Sequence, residues 1–158
     1  MRQTTDMKQI LIATDGSAGS SVAVEEGVWL AKMLGARAVF VAVARAPLSV
    51  LGDPYYQRVV TTEHGKARAA IAAAVLAADE RQVAYETEIL EGTPADAILG
   101  LARTRDVDLI VIGSRGRGSI ASAVLGSVSA EIAHRADRPV LVARPRSLAR
   151  RDSLRAAV

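Results

Sequence analysis

The chain has 158 residues, of which 50% are hydrophobic and 23% are charged. This length and composition fit one folded domain with its own core and exclude a disordered chain. No cysteine is present, which excludes disulfide scaffolds, thiolate metal sites and cysteine nucleophiles. With two histidines in the whole chain, a metal site made of histidines alone is not expected either.

The net charge of +3 is concentrated at the C-terminus. From Arg144 to Val158, five arginines and one aspartate give +4, which leaves −1 for the rest of the chain. A basic end of this kind is typical of a solvated tail, and five aromatic residues are too few for a base-stacking surface. We therefore expect no nucleic-acid partner.

No membrane segment is expected, because no apolar run approaches the ~20 residues that a membrane-spanning helix needs. The first eight residues lack the apolar centre of a signal peptide. The sequence therefore predicts a cytoplasmic protein without a membrane partner.

Two short apolar runs near the start predict buried strands, Met7–Thr14 and Arg37–Ala44. The first run ends at the turn-forming triplet Asp15-Gly16-Ser17. Between the runs, apolar residues recur at helical spacing, with serines upstream as N-caps and Gly35 as the end of the helix. These apolar residues are Val24, Val28, Ala31 and Leu34.

The middle of the chain predicts a loop, a long helix and an edge strand. Arg45–Gln57 contains two prolines and is long for a loop in a compact domain, so we expect it to be either functional or mobile. Arg58–Glu80 is alanine-rich with one apolar stripe and predicts a helix. Gln82–Ile89 alternates between apolar and polar residues and predicts an edge strand.

The last third predicts a helix, a strand, a second helix and a final strand. Thr93 is placed to cap the first helix, Pro94 suits its first position, and Asp96 suits its positive end. The predicted ranges are 93–103 for this helix, 107–112 for the strand, 127–136 for the second helix and 139–143 for the last strand.

Strict alternation of strands and helices predicts an α/β fold, a single doubly wound five-stranded parallel sheet with helices on both faces. We expect one domain over residues 7–145, with an N-terminal tail over 1–6 and a basic C-terminal tail over 146–158. Ligands of such sheets bind beyond the carboxyl ends of the strands, where the strand order reverses.

The segment after the fourth strand is the strongest candidate for anion binding. Between Gly113 and Ser127 it holds four glycines and four serines. Glycines let backbone N–H groups approach an anion, and Gly126, Ser127 and Val128 would present free N–H groups at a helix start. A hydroxyl at Ser127 or Ser129 adds a donor, and Arg115 either binds phosphate or faces solvent. The alternative is an ordinary strand-to-helix connection.

The common nucleotide motifs are absent from this segment. A Walker A loop requires Gly-Lys-Ser/Thr, where this sequence has Gly118-Ser119-Ile120. A dinucleotide fingerprint requires a third glycine where Ala121 stands. Neither a P-loop NTPase nor an NAD enzyme is therefore expected.

The pattern Gly113-x2-Gly116-x9-Gly126-Ser127 resembles the one that marks ATP-binding members of the universal stress protein family. Four further segments carry the resemblance, namely 10–17, 92–94, 108–113 and 139–144. The resemblance implies strand order 3-2-1-4-5 in an adenine nucleotide α-hydrolase-like fold. It also implies an ATP-binding regulator of stress response with Mg²⁺ on the nucleotide. Because the sequence shows no catalytic triad and no base for activating water, we expect at most slow hydrolysis.

The resemblance also assigns roles to individual residues. The Asp15 carboxylate would lie near the ribose and phosphates or their Mg²⁺, although Asp15 could instead only cap its turn. Ala13 would line the adenine pocket and the backbone of Val43 would bind adenine, beside Ala42 where many relatives have histidine. The residues expected to hold the triphosphate are Gly113, Gly116, Gly126, Ser127 and Val128. Thr14, Arg115 and Ser129 complete the candidate nucleotide site.

Two other functions stay open at this stage. One is a Mg²⁺-dependent ATPase or nucleotidyl-transfer enzyme, which would need a missing acid or lysine from a partner. The other is an interaction module that binds AMP, cyclic AMP or no nucleotide.

The last strand predicts a protein partner. Val140, Leu141 and Val142 form an apolar outer strand without a protecting lysine, and such edges usually pair with another strand. A two-fold contact between two copies is the simplest outcome, and the resemblance also favours a homodimer. The alternative is that the arginine-rich tail covers this edge.

Overall fold

The computed structural model describes residues 7–46, 52–115 and 125–145. The predicted tails, 1–6 and 146–158, lie outside these ranges. The strands are β1 (Gln9–Ala13), β2 (Arg37–Ala44), β3 (Tyr85–Glu91), β4 (Leu109–Gly113) and β5 (Val140–Ala143). The helices are α1 (Ala18–Leu34), α2 (Tyr55–Arg81), α3 (Pro94–Thr104) and α4 (Ser127–Arg135). Within the described ranges, none of these helices has the length and apolar character that crossing a membrane requires.

The five strands form one parallel sheet in the order β3-β2-β1-β4-β5, which confirms the predicted topology. Strand β1 pairs with β2 as far as Ala13 opposite Val41. Strand β2 continues along β3 as far as Ala44 opposite Glu91. Strand β2 therefore extends three residues beyond the end of β1, and this step in the sheet edge forms one side of a hollow.

Alternate residues of the strands pack into two separate hydrophobic cores, one on each face of the sheet. This confirms the prediction that helices cover both faces. Ile10 and Ile12 are fully buried under α1 and α2. Leu11 and Ala13 point to the other face, where α3 and α4 cover them. This period of two is the geometry of an extended strand with both faces buried.

The predicted helix ends are largely confirmed. The Ser17 side chain caps α1 by accepting from the backbone N–H of Ser20, and Gly35 ends the helix in the left-handed region at φ 65°. Pro94 occupies the first turn of α3 together with Asp96. Thr93 is at the N-cap position, but its side chain makes no capping hydrogen bond.

Two predicted boundaries and one predicted apolar position were wrong. Helix α2 begins at Tyr55, inside the predicted loop, because the N–H groups of Tyr55 and Tyr56 both donate to the Gly52 carbonyl. Gln82 is the left-handed C-cap of this helix, so β3 starts only at Tyr85. Leu34, placed on the apolar stripe of α1, is 49% exposed at the last turn.

The β3 edge of the sheet carries charged side chains. Arg37 lies 2.6 Å from Glu86, and Arg105 donates to both Glu86 and Glu88. Hydrogen bonds from Arg105 and Arg37 hold the pKa of Glu86 below its usual value. Charges along an edge strand oppose pairing with another chain, so this side of the sheet is protected.

Candidate functional site

A cavity of about 250 Å³ opens at the carboxyl ends of β1 and β4, where the strand order reverses. Ten of the eleven residues predicted for the nucleotide site line it, and Gly116 lies outside the described residues. The ten are Ala13, Thr14, Asp15, Val43, Gly113, Arg115, Gly126, Ser127, Val128 and Ser129. The fold thus brings both predicted turns to one hollow.

The turn after β1 is held by short polar contacts. The Asp15 carboxylate accepts a hydrogen bond from the Ser17 N–H at 3.0 Å. The buried Ser20 hydroxyl lies 3.2 Å from the Thr14 hydroxyl and 3.3 Å from the Asp15 N–H. Asp15 therefore both stabilises its own turn and lines the cavity, so the two interpretations of this residue do not exclude each other.

The end of β4 approaches the first turn of α1 very closely. A Cβ on Gly113 would lie 2.5 Å from the Gly19 carbonyl oxygen, and a Cβ on Gly19 would lie 2.2 Å from the Arg115 carbonyl oxygen. Both distances are far shorter than real Cβ contacts, and the neighbours are backbone atoms. Gly113 thus has a packing role that the glycine pattern alone did not reveal.

The start of α4 differs from the prediction at Gly126. Its N–H is not free, because it donates to the Ser114 carbonyl at 2.7 Å. The first bond inside the helix runs from Ala130 to the Gly126 carbonyl at 2.9 Å. The N–H groups of residues 127–129 precede that bond and lack a helical i−4 acceptor, as at any helix N-terminus.

The two candidate hydroxyls of α4 are not equivalent. Ser129 is buried, and its hydroxyl lies 3.2 Å from the Ser114 carbonyl oxygen and 3.0 Å from that of Gly126. Since a serine has a single O–H donor, this hydroxyl is committed to holding the loop. Ser127 is exposed and lines the cavity, so it is the hydroxyl that a ligand can reach.

The opposite wall consists largely of residues that the sequence reasoning missed. It is apolar, because Val41 and Val43 from β2 face Pro94 and Ile98 from α3. Arg45, which follows β2, also lines the cavity. Pro94 belonged to a segment that carries the family resemblance, whereas no sequence feature marked Ile98 or Arg45. The cavity therefore has an apolar side and a polar side.

Among the described residues, three that carry charged side chains line this cavity, namely Asp15, Arg45 and Arg115. One carboxylate and two guanidinium groups give this described part of the lining a net positive charge. Among the described residues, no group of three or more His, Cys, Asp or Glu side chains is arranged to hold a metal ion. A divalent cation here would therefore need most of its ligands from a bound anion and from water. The site suits an anion with an apolar part.

Comparisons with known proteins agree with this fold and extend it. The model of the universal stress protein family matches residues 7–144. A universal stress protein of Thermus aquaticus is 35% identical over 138 residues, which cover 87% of this chain and 98% of that protein. The solved structure of the universal stress protein UspA from Lactobacillus plantarum has a TM-score of 0.77 at 24% identity. It matches 89% of this chain and all of its own length.

A further solved structure is described as a universal stress protein in complex with cAMP. It has a TM-score of 0.68 and 26% identity, and the match covers 87% of this chain and 98% of that one. Both the family model and the Thermus aquaticus relative span nearly the whole described chain. With its sheet order and its match to the family over residues 7–144, this chain belongs to the universal stress protein family.

Proposed function

We propose that this protein binds adenine nucleotides in the cavity, ATP in particular, and acts as a cytoplasmic, nucleotide-dependent regulator of stress response. The observation that carries the proposal is the meeting of two turns that are far apart in sequence. The turn at Asp15 and the turn at Gly113 line one hollow at the reversal of the strand order. This is the position at which doubly wound sheets bind their ligands.

The two sides of the cavity suit the two halves of a nucleotide. The adenine would lie against Ala13, Val43 and Ile98, with its polar edge bound by the backbone of Val43. The phosphates would lie at the start of α4, where backbone N–H groups and the helix dipole favour negative charge. Ser127 would add a hydroxyl donor. In this orientation the adenine contacts the apolar wall, and the phosphates lie near the positively charged groups of the cavity.

A Mg²⁺ ion fits this arrangement as a companion of the phosphates. Mg²⁺ usually takes one or two protein carboxylates and fills its other positions with substrate oxygens and water. Asp15 would supply such a carboxylate, and the ion would neutralise phosphate charge. One oxygen of the Asp15 carboxylate accepts from the Ser17 N–H, which restrains this side chain, and the residue lines the hollow.

The proposed activity is binding with at most slow hydrolysis. A general base must lie within hydrogen-bond reach of the water that it activates. Asp15 is the only carboxylate among the described lining residues, and that lining contains neither histidine nor lysine. In the proposed site Asp15 serves the ribose, the phosphates or Mg²⁺, which leaves this wall without a second acid for catalysis.

Calorimetric titration of the purified full chain with ATP, ADP, AMP and cyclic AMP, with and without magnesium, tests the proposal. We expect micromolar binding, about −8 kcal/mol, for ATP. Absence of binding by all four nucleotides would refute the function. A steady-state ATP turnover of about 1 per second or more, an ordinary enzyme rate, would instead favour the ATPase or nucleotidyl-transfer alternative.

A second candidate function is a module that responds to AMP or cyclic AMP. It is favoured by one observation, the bound cAMP in a solved relative that is 26% identical to this chain. The same titration separates the candidates, because they predict opposite orders of affinity. Tighter binding of cyclic AMP than of ATP would select this second candidate.

We also propose that β5 pairs with its copy in a homodimer. Val140, Leu141 and Val142 are half-buried on the outer strand, in contrast to the charged β3 edge. The Pro139 carbonyl accepts a bond from Ile110 of β4, and the Ala143 carbonyl accepts one from Ser114, the residue after β4. The alternate residues, Val140 and Val142, therefore turn their N–H groups outward. These groups are available to a second β5 strand in an antiparallel, two-fold contact.

The dimer predicts a solution mass of twice 16.6 kDa at micromolar concentration. Val142→Pro removes one outward N–H, and proline is tolerated at such edge positions. We expect this variant to become a monomer while its melting temperature changes little, as measured by sedimentation and thermal unfolding. A monomeric wild type would contradict the dimer, and this result would fit the alternative in which the C-terminal tail covers the strand.

A further inference from the structure

Arg45 continues the wall of the cavity beyond the apolar side chains of β2. Val41 belongs to the core on the α3–α4 face, and Val43 packs against that core. Side chains alternate along a strand, so positions 41 and 43 share one side, and Arg45 follows the last residue of β2. All three line the cavity. Because β2 extends past the end of β1, Arg45 lies at the outer rim of this wall, opposite the start of α4.

Among the described residues, none neutralises the charge of Arg45. In the three described segments, Arg45 has neither an ion pair nor a side-chain hydrogen bond. Other arginines of the same fold do have carboxylate partners, for example Arg37 with Glu86 and Arg135 with Asp96. Several exposed arginines also lack partners, but Arg45 differs from them because it lines the cavity. Its guanidinium is therefore available to whatever binds there.

The effect of one such cation depends on the charge of the ligand. Coulomb attraction scales with the product of the charges and is stronger at a protein surface than in bulk water. The negative charge of adenine nucleotides rises from cyclic AMP through AMP and ADP to ATP. A guanidinium on the wall therefore attracts these four ligands to different degrees, although all four share the same base and a ribose.

We propose that Arg45 is the residue that sets the ligand preference of this cavity, by favouring adenine nucleotides with more phosphate charge. The inference rests on the proposed nucleotide function and answers a question that this function leaves open, the choice between ATP and cyclic AMP. In the proposed site, the start of α4 would hold the phosphates from one side, and Arg115 lines the same side of the cavity. Arg45 acts from the opposite wall, so its contribution is separable from theirs.

The test uses Arg45→Gln, which removes the charge, and Arg45→Lys, which keeps it. Arg68→Gln is the matched control, because Arg68 is exposed on α2, does not line the cavity and gives the same change in net charge. Each protein is titrated calorimetrically with ATP, ADP, AMP and cyclic AMP without magnesium. Thermal unfolding of each variant checks the fold.

We expect Arg45→Gln to lower the affinity for ATP about tenfold and the affinity for cyclic AMP less than about twofold. The losses for ADP and AMP should lie between these two. Arg45→Lys should keep most of the ATP affinity, and Arg68→Gln all of it. ATP binding by Arg45→Gln should also depend less on salt concentration. Unchanged affinities in Arg45→Gln, or an equal loss for all four nucleotides, would overturn the inference while the nucleotide function stands. Failure of the wild type to bind any nucleotide would overturn both.

Discussion

Gly113→Ala is expected to destabilise the fold strongly although it adds a single methyl group. The new Cβ would lie 2.5 Å from the carbonyl oxygen and 2.7 Å from the carbonyl carbon of Gly19. Because these are backbone atoms of the first turn of α1, the strand and the helix would have to separate. Overpacking of this kind costs about 1–3 kcal/mol of the free energy of unfolding. Gly19→Ala, aimed at the Arg115 carbonyl, should have a similar effect.

Thermal or urea unfolding measures the loss, at about 2–4 °C of melting temperature per kcal/mol for a chain of this size. Gly100→Ala in α3 is the matched control, because a Cβ there meets no atom within 4 Å outside the neighbouring residues and backbone of its own helix. Alanine is the better helix former, so this variant should gain about 0.5–1 kcal/mol. Equal stability of Gly113→Ala and the wild type would contradict this prediction, because it would mean that β4 and α1 can move apart without loss of stability.

The close approach of Gly113 to α1 gives this glycine a structural role that is independent of ligand binding. The sequence marked Gly113 as part of a phosphate cradle, and the residue does line the cavity. Its immediate neighbours, however, are Gly19 and Ser20 of α1, which explains the need for glycine without any ligand. Sequence alone could not separate the two reasons, because the contact joins segments that are nearly one hundred residues apart.

The fold was predictable because several independent features agree. Strands such as Arg37–Ala44 are continuous apolar runs, and turn residues such as Gly35 mark the ends. Boundaries failed where the backbone rather than the side chains decides them. Gln82 takes a left-handed conformation at the end of α2, and Tyr55 starts that helix by bonding to Gly52. Neither glutamine nor tyrosine is a residue type that predicts the end or the start of a helix.

Local sequence patterns predicted one side of the candidate site, whereas on the other wall only Val43 was predicted, through the family resemblance. The turns at Asp15 and Gly126 contain glycines and serines whose local chemistry is visible in the sequence. The other wall depends on how far β2 extends beyond β1 and on where α3 begins. Ile98 and Arg45 line the cavity because of these two positions, and no local sequence pattern predicts either of them.

Val43→Trp is expected to abolish most nucleotide binding while the fold persists. The Val43 side chain is half-exposed and lines the cavity on the side proposed for adenine. Its strand is held by β1 and β3 through backbone bonds, and aromatic residues are well accepted in strands. An indole at this position would fill much of a cavity of about 250 Å³. The affinity for ATP should fall at least tenfold, about 1.4 kcal/mol.

Val43→Ile is the control for this prediction, because it keeps a β-branched side chain and adds one methylene group. If adenine is bound by the backbone at this position, the isoleucine variant should bind ATP nearly as the wild type does. The same reasoning predicts that alanine at position 42 is compatible with adenine binding. Calorimetric titration with ATP, together with the melting temperature, distinguishes the outcomes. A folded Val43→Trp protein with wild-type affinity would place the base elsewhere, since the apolar wall between β2 and α3 could not then accommodate it.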